Sequence, residues 1–161
     1  MNSEIISRLI KIADEFPEKI ALSSEHENIT YKELISISFY LADWLQQSKK
    51  KNIGVHIEYC FNSIYIDLAC IIADVRQIAL PDLFSNQQLS HILKAAKPDI
   101  IISDNVERFS KLGLKFSSCT KMLGLDVLNL ASNNNIKSSC SHISTSIFTP
   151  ANTDKPNWPN Y

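Results

Sequence analysis

The sequence predicts an α/β protein with three layers, in which helices flank a mostly parallel sheet. Between residues 53 and 103, short apolar segments alternate with amphipathic helical segments in the order βαβαβ. Such alternation is typical of a parallel sheet with right-handed crossovers. The segment DIIIS, residues 99–103, is almost continuously apolar, as in a strand that is covered on both faces. Two Ser/Thr-x-x-Glu/Gln segments mark the starts of helices.

The chain begins with a helix and a hairpin. Ser3 is placed to cap a helix whose apolar residues recur on one face, and Pro17 ends that helix. The segment IALSSEHENIT, residues 20–30, has strand-forming ends around the polar residues 24–27. It predicts a short hairpin with its turn at those four residues.

The segment ITYKEL, residues 29–34, predicts a joint between a strand and a helix. Thr30 and Glu33 have the spacing of a capping box, in which the hydroxyl accepts from one backbone amide and the carboxylate from the other. An apolar stripe then continues at helical spacing to residue 47.

The next segments supply the βαβαβ pattern. IGVHIEY, residues 53–59, predicts a strand, Asn62 can cap the following helix, and QIALP, residues 77–81, predicts a second strand. Ser85 and Gln88 form another capping box ahead of a third strand at DIIIS. After Asp104 the pattern weakens, and it predicts in order a helix over 106–112, a strand over 122–128, a polar loop over 131–142 and a strand over 144–149.

Length and composition favour a single domain over residues 1–161, with residues 132–161 as a loop-rich tail. The net charge of -1 gives no electrostatic support for nucleic-acid binding. No apolar stretch is long enough to span a bilayer, and the N-terminus lacks a signal-peptide core. These features predict a cytoplasmic protein.

Neither the cysteines nor the histidines show metal-ligand spacing, so we expect reduced thiols and no metal site. The residues concerned are Cys60, Cys70, Cys119, Cys140, His26, His56, His91 and His142. Glycine is rare, at 3 of 161 residues against a usual share of about 7%. Few positions therefore let backbone approach a ligand closely.

The order of the segments resembles the start of adenylate-forming enzymes, the superfamily of acyl-CoA synthetases and adenylation domains. ITYKEL resembles the early motif L-T-Y-x-E-L of that superfamily. IIADVRQIALPDLFS, residues 71–85, resembles L-K-A-G-A-x-x-V-P-L-D-P, with Leu80 and Pro81 matching and Arg76 at the usual Gly position. LSHILKAAKPDIIISD, residues 89–104, resembles the next helix and strand.

The end of the chain, IFTPANTDKPNWPNY, falls where the resemblance places the phosphate loop T-S-G-T-T-G-x-P-K-G. Thr149, Thr153 and Pro156 match this loop, whereas Ala151 and Asp154 are among the residues that do not. The resemblance therefore implies a remnant phosphate loop at Thr149 and Thr153 that is not functional. ATP and Mg²⁺ are the family's cofactors, but we expect this chain to bind neither.

In the family, the adenine pocket, the acyl pocket and the catalytic lysine follow the phosphate loop, so we expect no catalytic residue within this chain. The resemblance implies a truncated, degenerate N-terminal segment of an AMP-forming ligase, inactive on its own. One alternative is an interaction module, or half of a split ligase whose partner is the remainder. Another is an unrelated flavodoxin-like domain that binds a small ligand.

Overall fold

The computed structural model describes residues 2–58 and 60–130. The elements are α1 (Asn2–Glu15), β1 (Ile20–Ser23), β2 (Asn28–Thr30), α2 (Tyr31–Ser48), β3 (Asn52–His56), α3 (Phe61–Ala73), β4 (Arg76–Ala79), α4 (Asn86–Ala96), β5 (Ile100–Ser103), α5 (Val106–Lys111), β6 (Phe116–Met122) and β7 (Leu125–Leu130). They follow the predicted order from α1 to α5 and two strands come after α5, while the loop predicted over 131–142 and the strand predicted over 144–149 lie outside the described residues. The described residues fall into two compact units.

The first unit contains residues 2–49 and Ser63–Asp74. Its predicted hairpin is confirmed, because β1 and β2 pair antiparallel. Ser24 closes the turn between them: its backbone amide donates to the Glu27 carbonyl over 2.8 Å. The Ser24 hydroxyl oxygen also accepts from the amides of His26 and Glu27. A serine that satisfies two turn amides explains why the chain reverses there.

The predicted capping box at the start of α2 is confirmed. The Glu33 amide donates to Thr30 Oγ1 over 3.2 Å, and the Thr30 amide donates to Glu33 Oε2 over 2.9 Å. Ser85 and Gln88 form the same arrangement ahead of α4. Each box satisfies amides that the first helical turn leaves without partners, so both helices begin where the sequence predicts.

Replacing Thr30 with alanine is expected to lower the free energy of unfolding by about 0.5–2 kcal/mol, because the Glu33 amide loses its acceptor. Thr30→Ser, which keeps the hydroxyl, serves as the control and should stay close to the unchanged protein. Urea denaturation followed by circular dichroism measures both. Equal midpoints for the alanine and serine variants would show that the cap does not stabilise α2.

The second unit contains Lys50–Asn62 and the described residues from Val75 onward, and it is built on a five-stranded sheet. The strand order is β4-β3-β5-β7-β6. The predicted βαβαβ portion is parallel, since β3 pairs parallel with both β4 and β5. β7 and β6 extend the sheet antiparallel. The predicted α/β fold class is confirmed as a mixed sheet of five strands flanked by helices.

The predicted strand over 122–128 is instead a hairpin turn with parts of two strands. β6 ends at Met122 and β7 begins at Leu125, and the two residues between them have positive φ, 51° at Leu123 and 78° at Gly124. A two-residue hairpin turn with positive φ at both positions matches the twist of its strands. The sequence does not predict this turn, because its first position holds leucine where Asn or Asp is usual.

The core of the second unit lies between one face of the sheet and α4 and α5. Its buried members are Ile78, Leu80, Leu89, Leu93, Ile101, Phe109 and Leu128. Gly54 lies in the middle of β3 because this packing leaves no room there. A Cβ at residue 54 would lie 2.9 Å from Leu80 Cδ1 and 3.2 Å from Ile101 Cγ1, closer than close-packed side chains tolerate.

Candidate functional site

The site predicted from the sequence lies outside the described residues. Thr149 and Thr153, the proposed remnant of a phosphate loop, belong to residues 131–161. Their role stays a prediction.

The strand order of the five-stranded sheet indicates a second candidate site. β3 lies between β4 and β5, so the first of the three parallel strands is flanked by the second and the third. In open α/β sheets, ligands bind outside the carboxyl ends of strands at such a reversal of strand order. Here that place is where β3 ends at His56 and β5 ends at Ser103, two residues that are in register.

The His56 side chain lies at this edge of the sheet, where β3 ends. Its side chain is only 1% exposed, and Nε2 lies 3.0 Å from Asp82 Oδ1 while Nδ1 lies 3.2 Å from Ser103 Oγ. Nε2 also lies 3.3 Å from Arg108 Nη1, so this ring nitrogen faces both the Asp82 carboxylate and the Arg108 guanidinium. The Ser103 hydroxyl oxygen accepts from the Asn105 amide over 2.9 Å.

Arg108, on α5, connects this cluster to the loop after β4. Nη1 donates to Asp82 Oδ1, and Nη2 donates to the carbonyl oxygen of Phe84. The Arg108 side chain is mostly buried. Two separate donors on one rigid guanidinium fix the loop in a way that a single ammonium group does not.

Asp104 completes the cluster at the end of β5. Asp104 Oδ2 accepts from the Glu58 amide over 2.9 Å, and Oδ1 lies 3.6 Å from His56 Nδ1. The Phe109 ring packs edge-to-face against the His56 imidazole, with 5.0 Å between the two ring centroids. We call His56, Asp82, Ser103, Asp104 and Arg108 the strand-end cluster.

The buried polar side chains of the strand-end cluster have hydrogen-bond partners within the chain. Among residues 2–58 and 60–130, no buried side-chain nitrogen or oxygen lacks a hydrogen-bond partner. Within the same residues, no group of three or more His, Cys, Asp or Glu is arranged to hold a metal ion. The described geometry therefore ties the ends of β3 and β5 to the loop after β4, and it occupies the crevice with the chain's own side chains.

Sequence reasoning treated His56 as one scattered histidine and did not single out Asp82 or Arg108. One signal in the sequence was available. Asp82 and Asp104 each lie just beyond the end of a predicted parallel strand, and such ends meet at one edge of a sheet, whereas His56 lies inside the strand predicted over residues 53–59. Arg108 had no comparable signal, because its contact with Asp82 spans 26 residues of sequence.

Of the described cysteines, Cys60 is exposed, Cys70 is buried and Cys119 is half-buried. Burial raises the pKa of the Cys70 thiol to about 12, and the nearby Asp67 carboxylate makes the smaller contribution to this increase. Both effects disfavour the thiolate, which is the reactive form.

Cys70 is therefore expected to resist iodoacetamide in the folded protein up to at least pH 10, because its thiolate forms only near the raised pKa of about 12. The exposed Cys60 should be alkylated readily. Mass spectrometry of peptides from protein labelled with and without urea measures the difference. Rapid labelling of Cys70 in the folded protein at neutral pH would contradict its burial.

None of the helices in the described part of the chain is long and apolar enough to cross a membrane.

Comparison with known proteins gives a consistent result. A family model described as AMP-binding enzyme matches residues 9–158. A mutant form of coronafacic acid ligase from Pectobacterium brasiliense is 22% identical, with a TM-score of 0.60 over 67% of this chain and 22% of that one. The NpsA N-terminal subdomain from Klebsiella oxytoca is 25% identical, with a TM-score of 0.56 over 63% of this chain and 28% of that one.

A third solved structure is o-succinylbenzoate CoA synthetase from Bacillus subtilis, in complex with the acyl-adenylate intermediate OSB-AMP. It is 22% identical, with a TM-score of 0.56 over 65% of this chain and 29% of that one. A search of curated proteins finds no match. The chain thus spans between 22% and 29% of the length of these three solved proteins, and its fold is that of their N-terminal part.

Proposed function

Because the chain belongs to the AMP-binding enzyme family, we propose that it is a non-catalytic N-terminal segment of an acid-activating, AMP-forming ligase. The acid-activating class is supported by the Bacillus subtilis relative, whose structure holds an acyl adenylate. Family membership leaves no place for an unrelated flavodoxin-like domain.

The observation that carries the proposal is the filled crevice at the carboxyl edge of the sheet. His56 and Ser103 are buried where an α/β sheet would receive a ligand, and Phe109 packs against His56. Opening this crevice for a nucleotide would separate Asp82 from both His56 and Arg108. An activated acid also needs its carboxylate held in line with the α-phosphate and cations beside the developing charge.

The composition of the terminal loop supports the same proposal. A phosphate loop turns several backbone amides inward, which relies on glycine at positive φ. In the loop motif that this chain resembles, Ala151 and Asp154 are mismatched residues, and each costs roughly 1–2 kcal/mol in a left-handed conformation. Together that is about 2–4 kcal/mol, or tens- to several-hundredfold in affinity. In a phosphate loop formed by these residues, the negative charge of Asp154 would oppose binding further.

We therefore expect no ATP binding at useful affinity. Calorimetric titration of the full chain with Mg-ATP should give no measurable heat of binding at micromolar concentrations. The Bacillus subtilis synthetase is the positive control. The combined variant Ala151→Gly, Asp154→Gly, Asn157→Lys measures how far the loop sequence alone accounts for the loss. Micromolar binding by the unchanged chain would overturn the non-catalytic proposal.

A second candidate is a retained partner subunit, the N-terminal half of a split ligase or an interaction module. Leu83 favours it, because this large apolar side chain is 83% exposed at the same edge of the sheet as the strand-end cluster. Co-expression with a polypeptide that corresponds to the remainder of such an enzyme tests it. Acyl-adenylate formation by the mixture, absent from either part alone, is the expected result.

A further inference from the structure

His56 is a buried side chain that can change its charge, at the carboxyl edge of the five-stranded sheet. It is only 1% exposed, yet histidine is the residue type that ordinarily gains or loses a proton between about pH 5 and 8. Polar groups from three parts of the chain face its ring: Asp82 from the loop after β4, Ser103 and Asp104 from the end of β5, and Arg108 from α5. One proton on this ring therefore acts on all three parts.

The Nε2 atom of His56 lies between groups of opposite charge. It is 3.0 Å from Asp82 Oδ1 and 3.3 Å from Arg108 Nη1, and these two atoms also contact each other. A ring nitrogen that carries a proton donates to a carboxylate, whereas one without a proton accepts from a guanidinium. Nε2 can do only one of these at a time, so its proton decides whether Asp82 or Arg108 is its hydrogen-bond partner.

The Nδ1 atom of His56 has a partner in either state. Ser103 Oγ lies 3.2 Å from it, and Asp104 Oδ1 lies 3.6 Å from it. A hydroxyl group donates to a nitrogen without a proton and accepts from one that carries a proton. The Asn105 amide takes only one of the two lone pairs of Ser103 Oγ. Both ring nitrogens can therefore carry protons at the same time without leaving a buried N–H group unpaired, which would be costly.

The charges around the ring determine what a second proton does. Two carboxylates, Asp82 and Asp104, and one guanidinium, Arg108, face the ring, so one positive charge on His56 balances the group. The same charge places an imidazolium 3.3 Å from the mostly buried Arg108 guanidinium, and like charges at that distance repel each other. The imidazole is enclosed and packs against the Phe109 ring, whereas the guanidinium ends a long stem. Arg108 is therefore the group that moves.

We propose that His56 is a proton switch for the loop over residues 80–85. With a neutral ring, Arg108 donates to His56 and also holds the loop at Asp82 and Phe84. With a charged ring, the imidazolium donates to Asp82, Arg108 moves away, and the Phe84 carbonyl loses its donor. The loop then detaches from α5 at the edge of the sheet. The proposal stands whether or not the chain binds ATP, because none of its residues belongs to the terminal loop.

NMR titration of the full chain tests the switch. Imidazole spectra follow the His56 ring, and backbone amide spectra follow the loop, as the pH falls from about 8 to 5. We expect the amide signals of Phe84 and Ser85 to shift with the same midpoint as the His56 ring. The Arg108 guanidinium protons exchange slowly with water while they are hydrogen-bonded, so we expect their signals to be lost below this midpoint.

His56→Gln is the test variant, because glutamine does not titrate but still donates and accepts hydrogen bonds. The shift of the loop amides should vanish in it. The matched control is His91→Gln, which removes an exposed histidine from α4 and should leave the transition unchanged. Circular dichroism checks that both variants are folded. The unchanged chain decides the question even where His56→Gln does not fold, because the midpoints of His26, His56 and His91 are followed separately.

Four results would overturn the proposal. The first is a His56 ring that keeps one protonation state throughout the titration, and the second is a set of loop amides that follow His26 or His91 instead. The third is an Arg108 guanidinium whose bound protons persist on both sides of the His56 midpoint. The fourth is an unchanged loop transition in His56→Gln, which would assign the transition to the carboxylates of Asp82 and Asp104.

Discussion

Replacing Phe109 with alanine is expected to lower the free energy of unfolding by about 3–5 kcal/mol. The Phe109 ring is completely buried, it belongs to the core between the sheet and α5, and it packs edge-to-face on His56. Removing it leaves a cavity that the surrounding structure fills only in part. Since whole domains are stable by only about 5–15 kcal/mol, the variant should lose much of its stability. Urea denaturation followed by tryptophan fluorescence and circular dichroism measures the loss.

Phe16→Ala is the matched control, because Phe16 is 55% exposed at the end of α1. The Lys19 ammonium lies 5.8 Å from its ring centroid, an exposed interaction worth only about 0.5–1 kcal/mol. If the two alanine variants lost equal stability, α5 would not pack against the sheet as described.

Local signals in the sequence predicted the elements that depend on local chemistry. Thr30 with Glu33, and Ser85 with Gln88, specify helix starts through hydrogen bonds between residues three apart. Ile100, Ile101 and Ile102 predicted a buried strand because consecutive apolar residues need cover on both faces. All three are buried in β5.

The turn between β6 and β7 requires positive φ angles, which a leucine at the first turn position does not predict. Leu123 adopts positive φ because the strand pairing on both sides over-determines the turn. The predicted strand therefore ran through a chain reversal.

The strand-end cluster could not be predicted from local pattern at all. His56 pairs with Asp82 and Ser103 across 26 and 47 residues, and such contacts follow from strand order, not from spacing in the sequence. Knowledge of the order β4-β3-β5 was needed to see that three polar residues meet. The hypothesis for Thr149 and Thr153 rests on the motif alone, because both lie outside the described residues.

Arg108→Met is expected to cost about 2–4 kcal/mol of unfolding free energy. Methionine keeps the apolar stem but removes both donors, so the Phe84 carbonyl loses a hydrogen bond worth about 0.5–1.5 kcal/mol. The larger part comes from Asp82, which keeps its contact with His56 Nε2 but loses its cation. Breaking a buried ion pair costs about 3–5 kcal/mol. Asp82 is half exposed, so solvent screening reduces that figure.

Arg8→Met is the control for this prediction, since Arg8 also pairs with a carboxylate, Glu4, but on an exposed face of α1. That pair should contribute no more than about 1 kcal/mol, and added salt should weaken it. Arg108→Lys should fall between the two methionine variants, because an ammonium group holds Asp82 or the Phe84 carbonyl but not both in the same geometry. Urea midpoints at low and high salt distinguish the three. If Arg108→Met and Arg8→Met were equally mild, the contacts of Arg108 with Asp82 and Phe84 would not stabilise this edge of the sheet.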